Sequence, residues 1–147
     1  MTVAYIDGGS RGNPGPAGYG VRIEDSGGQM IEEMCGALGT VTNNVAEYRG
    51  LLVALQWAVD HGVRRLTVRS DSELLVKQMK GVYRVKNAGL QPLHRQAQHL
   101  AASMERVTFE HVRREFNVDA DRLANKAMDD AAGEKTPHRP QGSFSWD

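Results

Sequence analysis

The sequence predicts a mixed α/β domain in which three antiparallel strands are followed by strands that alternate with helices. Runs of alternating apolar and polar residues, separated by glycine-rich turns, fill about the first forty positions. Beyond them, apolar residues recur at helical spacing between two further strand-like runs. With 147 residues, 40% of them hydrophobic and 24% charged, the chain has the composition of one globular domain. These patterns predict a single sheet with helices packed against it.

Each element has its own local signal. The first strand is an apolar, β-branched run that stops at Asp7 and breaks into a turn rich in glycine and proline. Glycines such as Gly62, Gly81 and Gly133 end helices, and Pro92 is tolerated in a first helical turn. The predicted strands are 3–7, 19–25, 29–38, 64–70 and 106–112, and the predicted helices are 45–61, 72–80, 90–104 and 117–133.

Charge and composition limit the classes of function. The chain has 18 basic and 18 acidic residues, so nucleic-acid binding has to come from local clusters rather than from net charge. The single cysteine, Cys35, cannot form an intrachain disulfide. We find neither a charged-then-apolar leader nor a long apolar run, and we therefore expect a soluble, cytoplasmic monomer without a membrane partner.

Four acids stand where the predicted fold can bring them together. Asp7 and Asp71 follow strands at their carboxyl ends, and Glu47 and Asp121 lie at the rims of two apolar helix faces. Ligands gather at the carboxyl ends of strands in such sheets. Converging carboxylates repel one another unless cations neutralise them, and all-oxygen ligand sets suit Mg²⁺ or Mn²⁺. The pattern predicts a divalent metal centre for in-line attack on a phosphodiester.

Each acid also has a simpler interpretation. Asp7 could open a turn through its side-chain hydrogen bonds, and Asp71 could cap the helix that follows it. Glu47 could pair with Asn44 in a capping box, and Asp121 could favour the positive end of the last helix. These interpretations leave unexplained why two strands end alike and two helices carry acids at the rim of an apolar face.

Four segments closely resemble the type 1 ribonuclease H family. They are residues 5–15 (YIDGGSRGNPG), 42–48 (TNNVAEY), 70–76 (SDSELLV) and 120–125 (ADRLAN). Their order and spacing match the family from residue 2 to about residue 132. The resemblance implies a ribonuclease H-like α/β domain at residues 1–132, with a mixed five-stranded sheet whose first three strands are antiparallel and with helices on both faces. Residues 133–147 lie outside it and are expected to be a mobile polar tail.

The resemblance also implies an endonuclease that hydrolyses the RNA strand of RNA/DNA hybrids and leaves 5′-phosphate and 3′-hydroxyl ends. It implies that Asp7 bridges two Mg²⁺ ions, for which Mn²⁺ can substitute, and that Asp121 holds the ion that activates water. Glu47 and Asp71 would hold the ion at the leaving group. Helical periodicity does not choose firmly between Asp121 and Asp119, and the resemblance favours Asp121. A non-cleaving hybrid-binding module and a DNA-directed nuclease of the same fold remain alternatives.

Substrate contacts in the family correspond here to short polar residues and exposed backbone. The matching positions are Gly8, Gly9, Ser10, Arg11, Asn13, Thr42, Asn43 and Asn44, with Glu73 where some members have glutamine. Such groups suit a wide, shallow groove that displays 2′-hydroxyls. Asn43 and Asn44 could also cap the first long helix. An acid at Glu73 near phosphates would have to point away or pair with a base.

This chain departs from many family members in two places. Only residues 82–89 stand where a basic protrusion is often inserted, so we identify a short form that lacks it. Hybrid binding must then use surface cations, namely Arg11, Lys77, Lys80, Arg84 and Lys86. The loop before the last helix lacks the usual histidine, and we hypothesise that Arg114 contacts the scissile phosphate instead. The nearest histidine, His111, is predicted to be an ordinary strand residue.

Overall fold

The predicted succession of strands and helices is present in the computed structural model, which describes residues 1–133. The strands are β1 (Thr2–Ser10), β2 (Gly15–Glu24), β3 (Met30–Val41), β4 (Arg65–Ser70) and β5 (Arg106–His111). The helices are α1 (Asn43–Asp60), α2 (Glu73–Met79), α3 (Gln91–Ala102) and α4 (Val118–Gly133), and a 3₁₀ turn spans Arg114–Phe116. The predicted tail lies outside the described residues, apart from Gly133, which ends α4. No helix within residues 1–133 has the length and apolarity needed to cross a membrane.

The strand order β3-β2-β1-β4-β5 determines where the ends of the strands meet. β1, β2 and β3 are antiparallel, whereas β4 is parallel to both β1 and β5, which confirms the predicted mixed sheet. The parallel pairing of β1 with β4 ends at Ile6 opposite Ser70, and Ser70 also pairs with His111 of β5. Asp7 and Asp71 each follow one of these paired positions and therefore lie at the same edge of the sheet.

The first strand is longer than predicted. β1 continues beyond Asp7 to Ser10 because Gly8, Gly9 and Ser10 stay paired with β2. The prediction that the strand stops at the acid is therefore wrong, and the reversal follows Ser10. At Gly8, an added Cβ would lie 2.3 Å from the carbonyl oxygen of Ala46 in α1. The glycine thus allows α1 to pack directly on the strand beside the acid.

Helices cover the two faces of the sheet. On one face, α1, α2 and α3 enclose a core whose largest buried members include Ile6, Val21, Tyr48, Leu51, Leu55, Leu66, Val68 and Leu75. On the other face, α4 lies across β1, β2 and β3. Its buried residues are Ala120, Leu123, Ala124, Ala127, Met128 and Ala131, which is the predicted apolar stripe. Small residues in this stripe let α4 approach the sheet closely.

The contact between α4 and β2 is a contact between backbones. A Cβ added at Gly20 would lie 2.4 Å from the carbonyl oxygen of Ala120 and 2.6 Å from the amide nitrogen of Ala124. Gly20 is also the residue of β2 that pairs with Asp7. Asp121 lies at the start of α4. The close packing at Gly20 therefore sets the distance between Asp121 and Asp7.

We expect Gly20→Ala to destabilise the protein by about 3 kcal/mol, because overpacking against rigid backbone forces α4 away from the sheet. For a chain of this size, the melting temperature should fall by roughly 10 °C. Thermal unfolding followed by circular dichroism measures both quantities. Gly27→Ala is the control, since its Cβ would meet only the Asp25 Oδ1 at 3.4 Å. Equal stability of the two variants would contradict the proposed backbone contact.

Candidate active site

A polar cleft of about 600 Å³ opens at the sheet edge where β1, β4 and β5 lose their parallel pairing. The four predicted acids lie in its wall and are all half-buried. The lining comprises Asp7, Gly8, Gly9, Ser10, Arg11, Asn43, Glu47, Asp71, His111, Val112, Arg113, Arg114, Asp121, Asn125 and Met128. Acidic groups, the end of β1 and arginine side chains therefore line the same space.

Each acid is supplied by a different element. Asp7 lies in β1 just beyond its pairing with β4, and Asp71 immediately follows β4. Glu47 belongs to α1 and Asp121 to the first turn of α4, where the Asp121 amide donates to the Asn117 carbonyl oxygen at 3.0 Å. The cleft thus depends on how two helices are placed relative to two strands.

Capping does not account for these acids. Thr42 caps α1, with its Oγ1 accepting a hydrogen bond from the Val45 amide at 3.3 Å. Ser72 caps α2, with its Oγ accepting from the Leu75 amide at 3.2 Å. The alternatives in which Asn44 or Asn43 caps α1, Glu47 completes a capping box or Asp71 caps α2 are therefore wrong.

Burial and mutual repulsion make the ionisation of the central acids unfavourable. Desolvation by burial raises the pKa of Asp7 to about 8, and the neighbouring acids Asp71 and Asp121 add to this shift. A hydrogen bond donated by the Gly8 amide opposes the shift. Desolvation likewise raises the pKa of Glu47 to about 7, with Ser72 opposing and Asp71 adding to the shift. Without a cation, the cleft therefore retains protons at neutral pH.

Asp71 lies between acids and cations. Burial is the largest cause that raises its pKa, while the Arg114 guanidinium opposes the shift and Asp121 adds to it. His111 also lowers the pKa of Asp71. Cationic groups therefore face the acidic cluster from the end of β5.

The donor set fits divalent cations of the Mg²⁺ type. Carboxylate oxygens are the ligands that these hard cations prefer, and a bound cation would relieve the repulsion that keeps Asp7 and Glu47 protonated. Within residues 1–133, no three Asp, Glu, His or Cys side chains are arranged to hold a single ion by themselves. Mg²⁺ commonly uses only one or two carboxylates, with water and substrate oxygens completing its shell. Pairs among the four acids satisfy that requirement.

The predicted substrate residues divide into two groups. Gly8, Gly9, Ser10, Arg11 and Asn43 line the cleft. Asn43 Oδ1 accepts a hydrogen bond from the Ser10 amide at 3.2 Å, so this asparagine also connects α1 to the end of β1. Arg11 forms an ion pair with Asp129 of α4. These contacts hold the turn after β1 between the two helices.

The other predicted substrate residues lie around the cleft. Asn13 Oδ1 accepts a hydrogen bond from the Asn43 amide at 3.0 Å, Thr42 caps α1 and Asn44 is exposed. Glu73 is exposed and pairs with Lys77 at 2.9 Å. Pairing with a base was one of the two arrangements predicted for this extra acid.

His111 and Arg114 both line the cleft, next to the acidic cluster. Arg114 lines the cleft and makes no ion pair with any of the residues 1–133. His111 is exposed and ends β5, as a strand residue should, but it also lines the cleft. The prediction that His111 is a strand residue agrees with its place in β5. Parallel pairing of β5 with β4 was the signal, because it places His111 at the edge that carries Asp71.

Asp121 and Asp119 have different environments. Asp121 lines the cleft, whereas Asp119 lies 3.6 Å from both Arg22 and Arg122 in a surface ion-pair network that also contains Glu33. Of the two acids between which helical periodicity left the choice open, Asp121 is the one that lies in the cleft.

A family model described as "Reverse transcriptase-like" matches residues 5–127. The chain is 40% identical over 128 residues to Ribonuclease HI of Halobacterium salinarum, covering 87% of this chain and 64% of that protein. The solved structure of LC11-RNase H1 in complex with RNA/DNA hybrid matches with a TM-score of 0.85 and 42% identity, covering 90% of this chain and 99% of that one. The chain belongs to the type 1 ribonuclease H family.

A longer ribonuclease H relative is the "Bifunctional protein Rv2228c" of Mycobacterium tuberculosis, 50% identical over 131 residues. The match covers 88% of this chain and 36% of the relative, so this chain spans about a third of that protein's length. The solved N-terminal RNase H domain of rv2228c matches with a TM-score of 0.89 and 48% identity, covering 92% of this chain and 98% of that domain.

The raised pKa values predict a pH-dependent stability for this ribonuclease H-family domain without metal. On folding, the pKa of Asp7 rises from 3.8 to about 8 and that of Glu47 rises from 4.5 to about 7. The contribution of these two groups to the free energy of unfolding is therefore complete below about pH 4. It is lost as pH rises through 7 and 8. In EDTA, the free energy of unfolding should fall from pH 5 to pH 9, as measured by urea titration.

Asp7→Asn should flatten this dependence and stabilise the metal-free protein at pH 8.5 by about 2 kcal/mol, which is less than the full pKa shift because solvent screens the site. Asp130→Asn, at an exposed position, is the control and should leave the slope unchanged. A wild-type slope in Asp7→Asn would contradict the assignment of the shift to Asp7.

Proposed function

We propose that the chain is an endonuclease that hydrolyses the RNA strand of RNA/DNA hybrids and leaves 5′-phosphate and 3′-hydroxyl ends. The convergence of Asp7, Glu47, Asp71 and Asp121 in one cleft carries this proposal. Family membership supports it, as does the RNA/DNA hybrid bound in the similar LC11-RNase H1 complex. The cleft is also lined by Arg11, Arg113 and Arg114, cations of the kind that bind nucleic-acid phosphates.

The four acids would hold two Mg²⁺ ions, or Mn²⁺ in their place, with Asp7 shared between them. Such a pair supplies an activated water and charge stabilisation for the leaving oxygen when bound. The charges of Asp71 and Asp121 both act on Asp7, and the charge of Asp71 also acts on Glu47, which supports a site in which the four acids share their cations. The partial burial of the acids strengthens their electrostatic interactions relative to those of fully exposed groups.

Other residues would orient the hybrid. Gly8, Gly9 and Ser10 line the cleft, and their small side chains suit a close approach of ribose hydroxyls, which distinguish RNA from DNA. Arg114 is positioned to donate hydrogen bonds to a phosphate because its guanidinium faces Asp71 without forming an ion pair with residues 1–133. His111 adds a second hydrogen-bonding group on the same side of the cleft.

Cleavage of labelled substrates tests the proposed function. Hybrid, duplex DNA and duplex RNA are each incubated with the protein in Mg²⁺, Mn²⁺ or EDTA. We expect cleavage of the hybrid's RNA strand alone, with either metal and not in EDTA, and a loss of at least about 10³-fold in Asp7→Asn. Asp130→Asn is the matched control. Binding without cleavage would indicate a non-cleaving module, and cleavage of duplex DNA would indicate a DNA-directed nuclease.

The phosphate contact proposed for Arg114 predicts a selective loss of turnover. Arg114→Ala should lower kcat by about 10- to 100-fold, because a charge-assisted donor to a phosphate that gains charge is removed. Steady-state kinetics on a short hybrid measures kcat and KM separately. Arg95→Ala, which removes an exposed arginine of α3, serves as the control. Unchanged turnover in Arg114→Ala would exclude this role.

A further inference from the structure

Asn117 connects three parts of the candidate site, although it does not line the cleft. It lies between the 3₁₀ turn and α4 and is 1% exposed. Its backbone amide donates to the Arg114 carbonyl oxygen at 2.9 Å, and its own carbonyl oxygen accepts from the Asp121 amide at 3.0 Å. Its side-chain Nδ2 donates to the carbonyl oxygen of Ile6 at 2.9 Å. One residue therefore contacts the segments that carry Arg114, Asp121 and Asp7.

The side-chain bond reaches across the fold. Ile6 immediately precedes Asp7 and is the last residue of β1 that pairs with β4. The hydrogen bond from the Asn117 side chain to the Ile6 carbonyl oxygen therefore restrains the peptide that orients Asp7, while the bond donated by the Asp121 amide fixes the first turn of α4. The segments that carry Asp7 and Asp121 are thus both held by the same residue.

Stability alone does not explain an asparagine at this position. The Oδ1 of Asn117 is buried and has no hydrogen-bond partner among residues 1–133, and it is the one such buried side-chain atom in that part of the chain. Burying an unpaired amide oxygen is unfavourable. The Asn117 amide nevertheless donates one hydrogen bond, to the Ile6 carbonyl oxygen. We therefore attribute the role of Asn117 to the geometry that this bond imposes.

We propose that Asn117 is a positioning residue that sets the separation and orientation of the Asp7 and Asp121 carboxylates for a shared divalent cation. This inference rests on the proposed function of the cleft. Without the amide donor, the end of β1 and the start of α4 can move relative to each other. Groups that orient metal ligands typically change metal affinity by about 10- to 100-fold when removed.

Two variants separate positioning from packing. N117A removes the amide, and N117D keeps its shape but places a carboxylate against the Ile6 carbonyl oxygen. Ile23→Val is the control, because it disturbs the buried core through β2, whereas the Asn117 side chain is bonded to β1. Mg²⁺ affinity is measured by calorimetry on the substrate-free protein, at a temperature where circular dichroism shows each variant folded. Steady-state kinetics on the hybrid then gives kcat and KM.

We expect both variants to bind Mg²⁺ about 10-fold more weakly and to lose about 10-fold or more in kcat, while KM for the hybrid changes less than about twofold. N117D is the decisive variant. If its added negative charge acted on Mg²⁺ only by electrostatic attraction, Mg²⁺ would bind more tightly, whereas loss of positioning makes Mg²⁺ bind more weakly. Tighter or unchanged binding in N117D overturns the proposal, as does an equal loss of affinity in Ile23→Val.

Failure of the proposed function gives a different result. If the wild-type protein does not cleave the hybrid, the proposed reaction is wrong, yet the Mg²⁺ affinities of N117A and N117D still test the positioning role. If N117A does not fold, N117D alone decides, since it retains the volume and the backbone hydrogen bonds of Asn117.

Discussion

The electrostatic repulsion among four half-buried carboxylates is the constraint around which this structure is arranged. Asp7 and Glu47 are held where burial and neighbouring charge raise their pKa values to about 8 and about 7. Such an arrangement is unfavourable on its own and persists only if the surrounding fold is rigid enough to impose it. Rigidity here comes from backbone contacts: α1 packs on Gly8, and α4 packs on Gly20. Gly8 follows the central acid in β1, and Gly20 pairs with it from β2.

The two walls of the cleft present different chemical groups. Backbone and short polar groups from the end of β1 and the start of α1 form one side, held together by the bonds of Asn13 and Asn43. Cations from the end of β5 and the following turn form the other side, with His111 and Arg114 near Asp71. An anionic polymer can therefore approach the acids between a neutral surface and a cationic one, which offsets the repulsion from the carboxylates.

Much of the fold and of the candidate site could be predicted from local sequence. Alternation and helical spacing identified the five strands and the apolar stripe of α4, because these periods reflect burial directly. The end of β1 was misplaced, since glycines that signal a turn in isolation here stay in the strand to admit a helix. The helix caps were also misassigned, because serine, threonine, asparagine and aspartate are near-equivalent in sequence and only the observed bonds to Val45 and Leu75 separate them.

By itself, the sequence determined the order of the elements, the family and the four acids, because short motifs at fixed spacing carry that information. Tertiary structure alone decided the surroundings of the cleft. It paired Asp119 with surface arginines, brought His111 to the cleft through the parallel pairing of β4 and β5, and gave Asn117 its bond to Ile6. These outcomes depend on contacts between residues far apart in the chain, so no local pattern encodes them. The physical reason is that register and close packing, rather than propensity, set the distances at which charges interact.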